Sequence, residues 1–153
     1  IPDNVTNIKT YAFGDNGEEV VYLSKNITEI GANAFRNFVF LSDVNLSKLT
    51  SSTAYSISNA DYLGKLDFSD RPAENTTIRI GDVTDGSTCK ELWIPRYRMD
   101  YKMYNASIGD IEELYIPDIV QFLQSSFHSG SSPMCAKSAY AFDTRTGEYL
   151  SRA

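Results

Sequence analysis

Residues 89–95 read Cys89-Lys-Glu-Leu92-Trp-Ile94-Pro95, and residues 111–117 repeat the pattern as Ile111-Glu-Glu-Leu114-Tyr-Ile116-Pro117. Two earlier blocks close on Ser instead of Pro, and they read Leu41-Ser-Asp-Val44-Asn-Leu46-Ser47 and Leu63-Gly-Lys-Leu66-Asp-Phe68-Ser69. Apolar residues two positions apart are typical of a β-strand with one buried face. Proline is tolerated at the end of such a strand, because it removes a donor only where the ladder stops.

The blocks recur with a nearly constant period. A shorter block closes at Ser24 and Ile1-Pro2 resembles the tail of one more, so the closing residues stand at positions 2, 24, 47, 69, 95 and 117, with gaps of 22, 23, 22, 26 and 22 residues. A second pattern lies between the strands and also repeats after 22 residues, as Val5-Thr-Asn-Ile8-Lys-Thr-Tyr-Ala12-Phe13 and Ile27-Thr-Glu-Ile30-Gly-Ala-Asn-Ala34-Phe35. Ordinary strand alternation in a β-sandwich is the alternative, but a sandwich gives no reason for two patterns to recur together.

This period lies within the roughly 20–29 residues of leucine-rich repeats. We therefore predict a β-rich α/β fold, a right-handed leucine-rich-repeat solenoid of horseshoe-like shape with short or irregular helical turns. Stacked repeats would bury two rows of apolar side chains, which are Val21, Val44, Leu66, Leu92 and Leu114, and Leu23, Leu46, Phe68, Ile94 and Ile116. At roughly 1.5–3 kcal/mol per fully buried side chain, these rows would supply most of the stabilisation.

The chain divides into two parts in this interpretation. Residues 1–117 hold about five leucine-rich repeats, of which the irregular fourth has its back strand near Ile78. Residues 118–153 hold a degenerate last repeat and a C-terminal hairpin, whose turn contains Gly147. The hairpin would either cap the last strand edge or begin another domain.

The two patterns together, V-T-x-I-x-x-x-A-F followed by L-x-x-L-x-I-P, resemble the BspA-like class of leucine-rich repeats over residues 1–117. The resemblance implies a cell-surface or secreted protein, similar to adhesins that bind extracellular-matrix or other host proteins. It implies no catalytic and no ligand-binding residues, because the repeat consensus contains none. The chain opens at Ile1 without a signal segment, so we expect it to be part of a longer protein with its signal or anchor elsewhere.

Composition excludes several classes of function. A net charge of −6 argues against a nucleic-acid partner, which would require clustered Lys and Arg. No apolar run approaches the ~18 residues of a membrane span. One histidine and two cysteines are too few for a zinc site, and we expect no cofactor. Cys89 and Cys135 could form a disulfide, or Cys89 could be a small buried apolar residue.

A candidate binding surface lies between the inward rows, where side chains point out of the strand face. Its central column is Tyr22, Asn45, Asp67, Trp93 and Tyr115, and beside it run Asp43, Lys65, Glu91 and Glu113. Exposed aromatic side chains suggest recognition of an extracellular protein or a glycan. Cross-strand aromatic pairs also stabilise sheets by themselves. The sequence therefore predicts a non-catalytic binding module, with a passive spacer or a glycan-binding module as the alternatives.

Overall fold

A computed structural model describes residues 1–15, 22–38, 40–41, 44–52, 56–59, 62–71, 77–78, 88–98, 100–101, 110–127 and 136–151. The described strands are β1 (Asn7–Ile8), β2 (Glu29–Ile30), β3 (Phe40–Leu41), β4 (Val44–Asn45), β5 (Ser51–Ser52), β6 (Tyr62–Asp67), β7 (Thr77–Ile78), β8 (Cys89–Trp93), β9 (Asp100–Tyr101), β10 (Ile111–Ile116), β11 (Ser126–Phe127), β12 (Ser138–Asp143) and β13 (Glu148–Ser151). One described helix, α1, spans Ile119–Leu123. Every described strand pairing is parallel except that of β12 with β13.

The main sheet is built from the repeated blocks. Among the described residues its order is β13-β12-β10-β8-β6-β3, and β4 also pairs with β6. The predicted first row is in register from strand to strand and buried, as the pairs Val44–Leu66, Leu66–Leu92 and Leu92–Leu114 show. In the second row Leu23 is half-buried, and the residues from Leu46 onward are buried. The structure therefore confirms the two buried apolar rows from Val44 and Leu46 onward, whereas Val21 lies outside the described residues.

The opposite side of the coils carries short parallel strands. They form two groups of three within the described part of the chain, ordered β1-β2-β5 and β11-β9-β7. β7 contains Ile78, as predicted for the back strand of the fourth repeat. Beside β1 and β2, the ring of Phe13 stacks on that of Phe35 with 5.2 Å between centroids and 4° between planes. The Phe residues of the repeated Ala-Phe pattern therefore stack on one another in the first coils.

Polar ladders with the same 22-residue step run along the turns of the first coils. Asp15, Asn37 and Asn59 all have positive φ, at 60°, 56° and 51°. The Asn37 amide donates to the Asp15 carboxylate at 2.5 Å, and the Asn59 amide donates to Asn37 at 3.4 Å. Asn and Asp tolerate this left-handed conformation better than most residues. The turns of successive coils are therefore equivalent in both backbone shape and side-chain partner.

The C-terminal part continues the stack. Asp118 caps α1, its carboxylate accepting from the backbone N–H groups of Val120 and Gln121. β11 then pairs with β9, so this segment behaves as a further, degenerate coil. The predicted hairpin is present, and its first strand, β12, pairs with β10. The boundary between residues 1–117 and 118–153 stays a prediction, since the sheet runs across it.

The described residues thus form a leucine-rich-repeat solenoid, mostly sheet with little helix, as the period predicted. The Ile1 nitrogen donates to the Tyr22 carbonyl at 2.7 Å, which is the same link as the one from Leu46 N–H to the Asp67 carbonyl two coils later. Cys89 is a buried free thiol whose pKa burial raises to about 12, and Cys135 lies outside the described residues. No helix in the described ranges has the length and apolarity to cross a bilayer.

Candidate interaction surface

Four of the five predicted site residues form one column across the main sheet. The register pairs Asn45 with Asp67, Asp67 with Trp93, and Trp93 with Tyr115. Tyr22 is 70% exposed but lies in no described strand, and no described side-chain contact joins it to the column. The register therefore aligns Asn45, Asp67, Trp93 and Tyr115 from β4 to β10, and the role of all five residues in binding stays a prediction.

The column continues into the hairpin, which the sequence reasoning missed. Tyr140 of β12 is in register with Tyr115, and the rings of the two tyrosines stack with 5.0 Å between centroids. The ring of Trp93 stacks on the other face of Tyr115, at 4.2 Å and 5° between planes. Tyr149 of β13 meets the rings of Trp93 and Tyr115 edge-on, at 5.2 Å and 5.5 Å. We call Trp93, Tyr115, Tyr140 and Tyr149 the aromatic ladder.

The ladder residues of β8 and β10 each donate a hydrogen bond to a carboxylate two residues earlier on the same strand. The Trp93 indole N–H donates to Glu91 at 3.0 Å, and the Tyr115 hydroxyl donates to Glu113 at 3.0 Å. Side chains at i and i+2 share one face of a strand, which brings these groups together. The flanking column predicted from the sequence therefore orients the rings, and its first member, Asp43, lies outside the described residues.

On the β6 side of the aromatic ladder, a cation lies next to the Trp93 ring. The Lys65 ammonium lies 4.4 Å from the Trp93 ring centroid and 3.0 Å from an Asp67 carboxylate oxygen. Since β6 and β10 lie on opposite sides of β8, Lys65 and Tyr115 cover opposite faces of the Trp93 ring. An ammonium over an indole face is an attractive cation–π arrangement. Both faces of this ring are therefore occupied within the chain.

Asn45 and Asp67 have structural partners in the turns that end their strands. The Asn45 side-chain oxygen accepts from the Ser47 N–H at 3.1 Å, and the Asp67 carboxylate accepts from the Ser69 N–H at 2.9 Å. Burial would raise the pKa of Asp67, but the hydrogen bonds from Ser69 and Lys65 outweigh it and lower the pKa. These two side chains close turns of the Asx type.

The electrostatics around the ladder favour neutral or positive groups. Burial and the hydrogen bond to Glu113, together with the negative charges of Glu113 and Glu91, raise the pKa of Tyr115 to about 12. Burial also raises the pKa of Tyr149. Both phenols therefore remain protonated donors at neutral pH.

Two features of the described residues bear on catalysis, the grouping of possible metal ligands and a surface cleft. Within the described ranges no three His, Cys, Asp or Glu side chains are grouped as metal ligands would be. A cleft of about 630 Å³ lies between α1 and the hairpin, and Asp118 and Asp143 line it. The Asp118 carboxylate caps α1, and hydrogen bonds from Arg145 lower the pKa of Asp143 to about 2. Both carboxylates are thus committed to structural contacts.

Comparison with known proteins agrees with the repeat architecture. The family model described as the BspA type leucine-rich repeat region matches residues 1–82, in 6 copies. No curated protein and no solved structure matches the chain.

Proposed function

The chain belongs to the BspA-type leucine-rich repeat family, and on this premise we propose that it is a non-catalytic, adhesin-like binding module acting at a cell surface or outside the cell. Repeats of this family are often involved in protein–protein interactions at surfaces and are generally non-catalytic. The proposed contact surface is the face of the main sheet that carries the aromatic ladder.

One observation carries this proposal: a pre-ordered aromatic array on an outward sheet face. Tyr and Trp are enriched at the energetic centres of protein interfaces, because they bury a large area at a small cost in side-chain entropy. Hydrogen bonds to Glu91 and Glu113 already hold the rings of Trp93 and Tyr115 in place. A partner would therefore not have to order these two side chains on binding.

A protein partner fits this surface better than a glycan. Sugars typically stack on an exposed aromatic face, but the faces of Trp93 and Tyr115 are covered by neighbours in the ladder and by Lys65. What remains for a partner is a row of ring edges beside carboxylates. Such a row suits apolar and hydrogen-bonding side chains of a polypeptide.

The passive spacer remains the second candidate, and the same stacking favours it. Each stacked or edge-on pair contributes about 0.5–1.5 kcal/mol beyond area burial. The ladder could therefore exist only to join the hairpin to β8 and β10. A spacer of this kind would bind nothing at the ladder.

The test compares the double variant Trp93→Ala with Tyr115→Ala against Tyr22→Ala, which removes an exposed tyrosine outside the ladder. Each is assayed by surface plasmon resonance against extracellular-matrix proteins and a glycan panel. We expect the double variant to keep the fold, because the buried rows are untouched, and to lose binding to the ligand of the unmodified chain. Tyr22→Ala should bind it unchanged. If the double variant folds and binds as before, the ladder is not the site.

A further inference from the structure

We propose that the part of the ladder face around Glu91 and Glu113 takes a basic segment of a partner protein, through Lys or Arg side chains. This inference rests on the proposed function, because it specifies the partner chemistry of the same sheet face. It depends on how charge is distributed between neighbouring strands.

Glu91 and Glu113 are like charges at directly paired positions. They are register partners on β8 and β10, and neighbouring strands lie about 4.8 Å apart. Their hydrogen-bond donors are a neutral indole and a neutral phenol, which leave the charge uncompensated. In the part of the chain that the structure describes, neither carboxylate has an ion pair. Like charges placed opposite one another destabilise a sheet.

The remaining carboxylates of β6 and β10 are paired. Asp67 is 3.0 Å from Lys65, and Glu112 is 3.8 Å from Lys137. Lys65 is the register partner of Glu91, yet its ammonium lies against Asp67 and over the Trp93 ring. The uncompensated charge is therefore concentrated at the two carboxylates that orient the ladder.

Lys65 shows within the chain how a basic side chain sits on this surface. Its ammonium contacts a carboxylate while lying against an aromatic ring. An external lysine or arginine could similarly lay its aliphatic stem along the ring edges, with its head group reaching the carboxylates of Glu91 and Glu113. A guanidinium can also bridge two carboxylates through its forked donors. After burial and the hydrogen bond to Glu113, the negative charges of Glu113 and Glu91 also raise the pKa of Tyr115.

The test uses fluorescein-labelled octalysine as the probe, with octaglutamate and a neutral oligosaccharide as the comparison probes. Fluorescence anisotropy measures binding at low and at physiological salt. We expect octalysine to bind, more weakly as salt rises, and the other two probes not to bind. The double variant Glu91→Gln with Glu113→Gln should bind octalysine about tenfold more weakly, since each half-exposed ion pair changes an affinity by up to about fivefold.

The matched control is Glu112→Gln with Glu148→Gln, which changes the net charge equally at positions whose side chains point to the opposite face from those of Glu113 and Tyr149. Its affinity for octalysine should fall less than about twofold. If both double variants lost the same affinity for octalysine, binding would depend on net charge alone, and the inference would be overturned. A thermal unfolding midpoint for Glu91→Gln with Glu113→Gln at or above that of the unmodified chain is expected, because a repulsion is removed.

The inference and the proposed function fail in different ways. If octalysine does not bind, but a glycan or an uncharged protein binds through Trp93, the inference is wrong and the proposed function stands. If no ligand from either panel depends on Trp93, the proposed function fails as well.

Discussion

Gly31→Ala tests the close approach of the first two coils. An added Cβ would lie 2.8 Å from the carbonyl carbon of Lys9 and 2.9 Å from the Thr10 Cα, with the Thr10 nitrogen closer still. All three are backbone atoms, so no side chain can rotate away. The two coils would have to separate at this point.

The free-energy cost of Gly31→Ala has two sources, overpacking and the weakening of hydrogen bonds between the two coils. Overpacking against a fixed backbone costs about 1–3 kcal/mol. Two hydrogen bonds would also lengthen, from Gly31 N–H to the Ile8 carbonyl at 2.8 Å and from Tyr11 N–H to the Ala32 carbonyl at 3.1 Å. Each contributes about 1 kcal/mol, so we expect a total loss of about 3–5 kcal/mol. In a chain of this length that corresponds to a fall in Tm of about 6–20 °C.

The assay is urea and thermal unfolding followed by circular dichroism, with amide hydrogen exchange to locate the loss. Contacts in a solenoid join neighbouring coils only, so exchange should accelerate around Ile8 and Ile30 and stay unchanged in β10. Gly147→Ala is the control, because its Cβ would meet nothing within 4 Å and only the φ of +74° opposes it. That strain costs about 1 kcal/mol. A loss for Gly31→Ala no larger than the control's would refute the close-approach argument.

Two further predictions concern the aromatic side chains. Phe35→Ala should lower the free energy of unfolding by about 3–5 kcal/mol in the urea assay, because Phe35 is fully buried between Phe13 and Phe38. Phe13→Ala should lower it clearly less, because Phe13 is only half-buried. Equal losses for the two variants would contradict this ranking. Tyr115 has a folded pKa of about 12 against an ordinary value of 10.0, so its contribution to stability is complete below pH 10 and disappears as pH rises toward 12. Tm measured against pH should therefore fall less steeply over this interval for Tyr115→Phe, and parallel curves would show that Tyr115 is not responsible.

The repeats could be predicted from the sequence because their physical requirements recur at each coil. Leu66 and Leu92 align although their blocks are separated by the longest gap, since the seam must stay continuous and extra residues are tolerated in a connection. The central column followed from the same alternation. The resemblance carried by the two patterns was clear enough to name the family.

The rest of the candidate surface depended on long-range geometry. Nothing in the repeat pattern sets the register of Tyr115 with Tyr140, because the hairpin lacks the closing Pro or Ser of a repeat block. Tyr149 reaches the rings of Trp93 and Tyr115 only through an antiparallel pairing that the repeat does not contain. Covered ring faces also cannot be inferred from alternation, which gives direction but no rotamer. The sequence thus predicted which face bears aromatics and not how they pack together.

The constant step of the polar ladders has a consequence for how such a chain can change its length. Asp15, Asn37 and Asn59 contact their equivalents one coil away, and each occupies the same backbone conformation. Tandem duplication of one unit would therefore meet a matching neighbour on both sides, whereas a partial insertion within the turn would interrupt the polar contacts at that coil. Each added coil would extend the molecule by about 4.8 Å, the spacing of paired strands. Genetic recombination between units could in this way lengthen or shorten the module without changing its core residues.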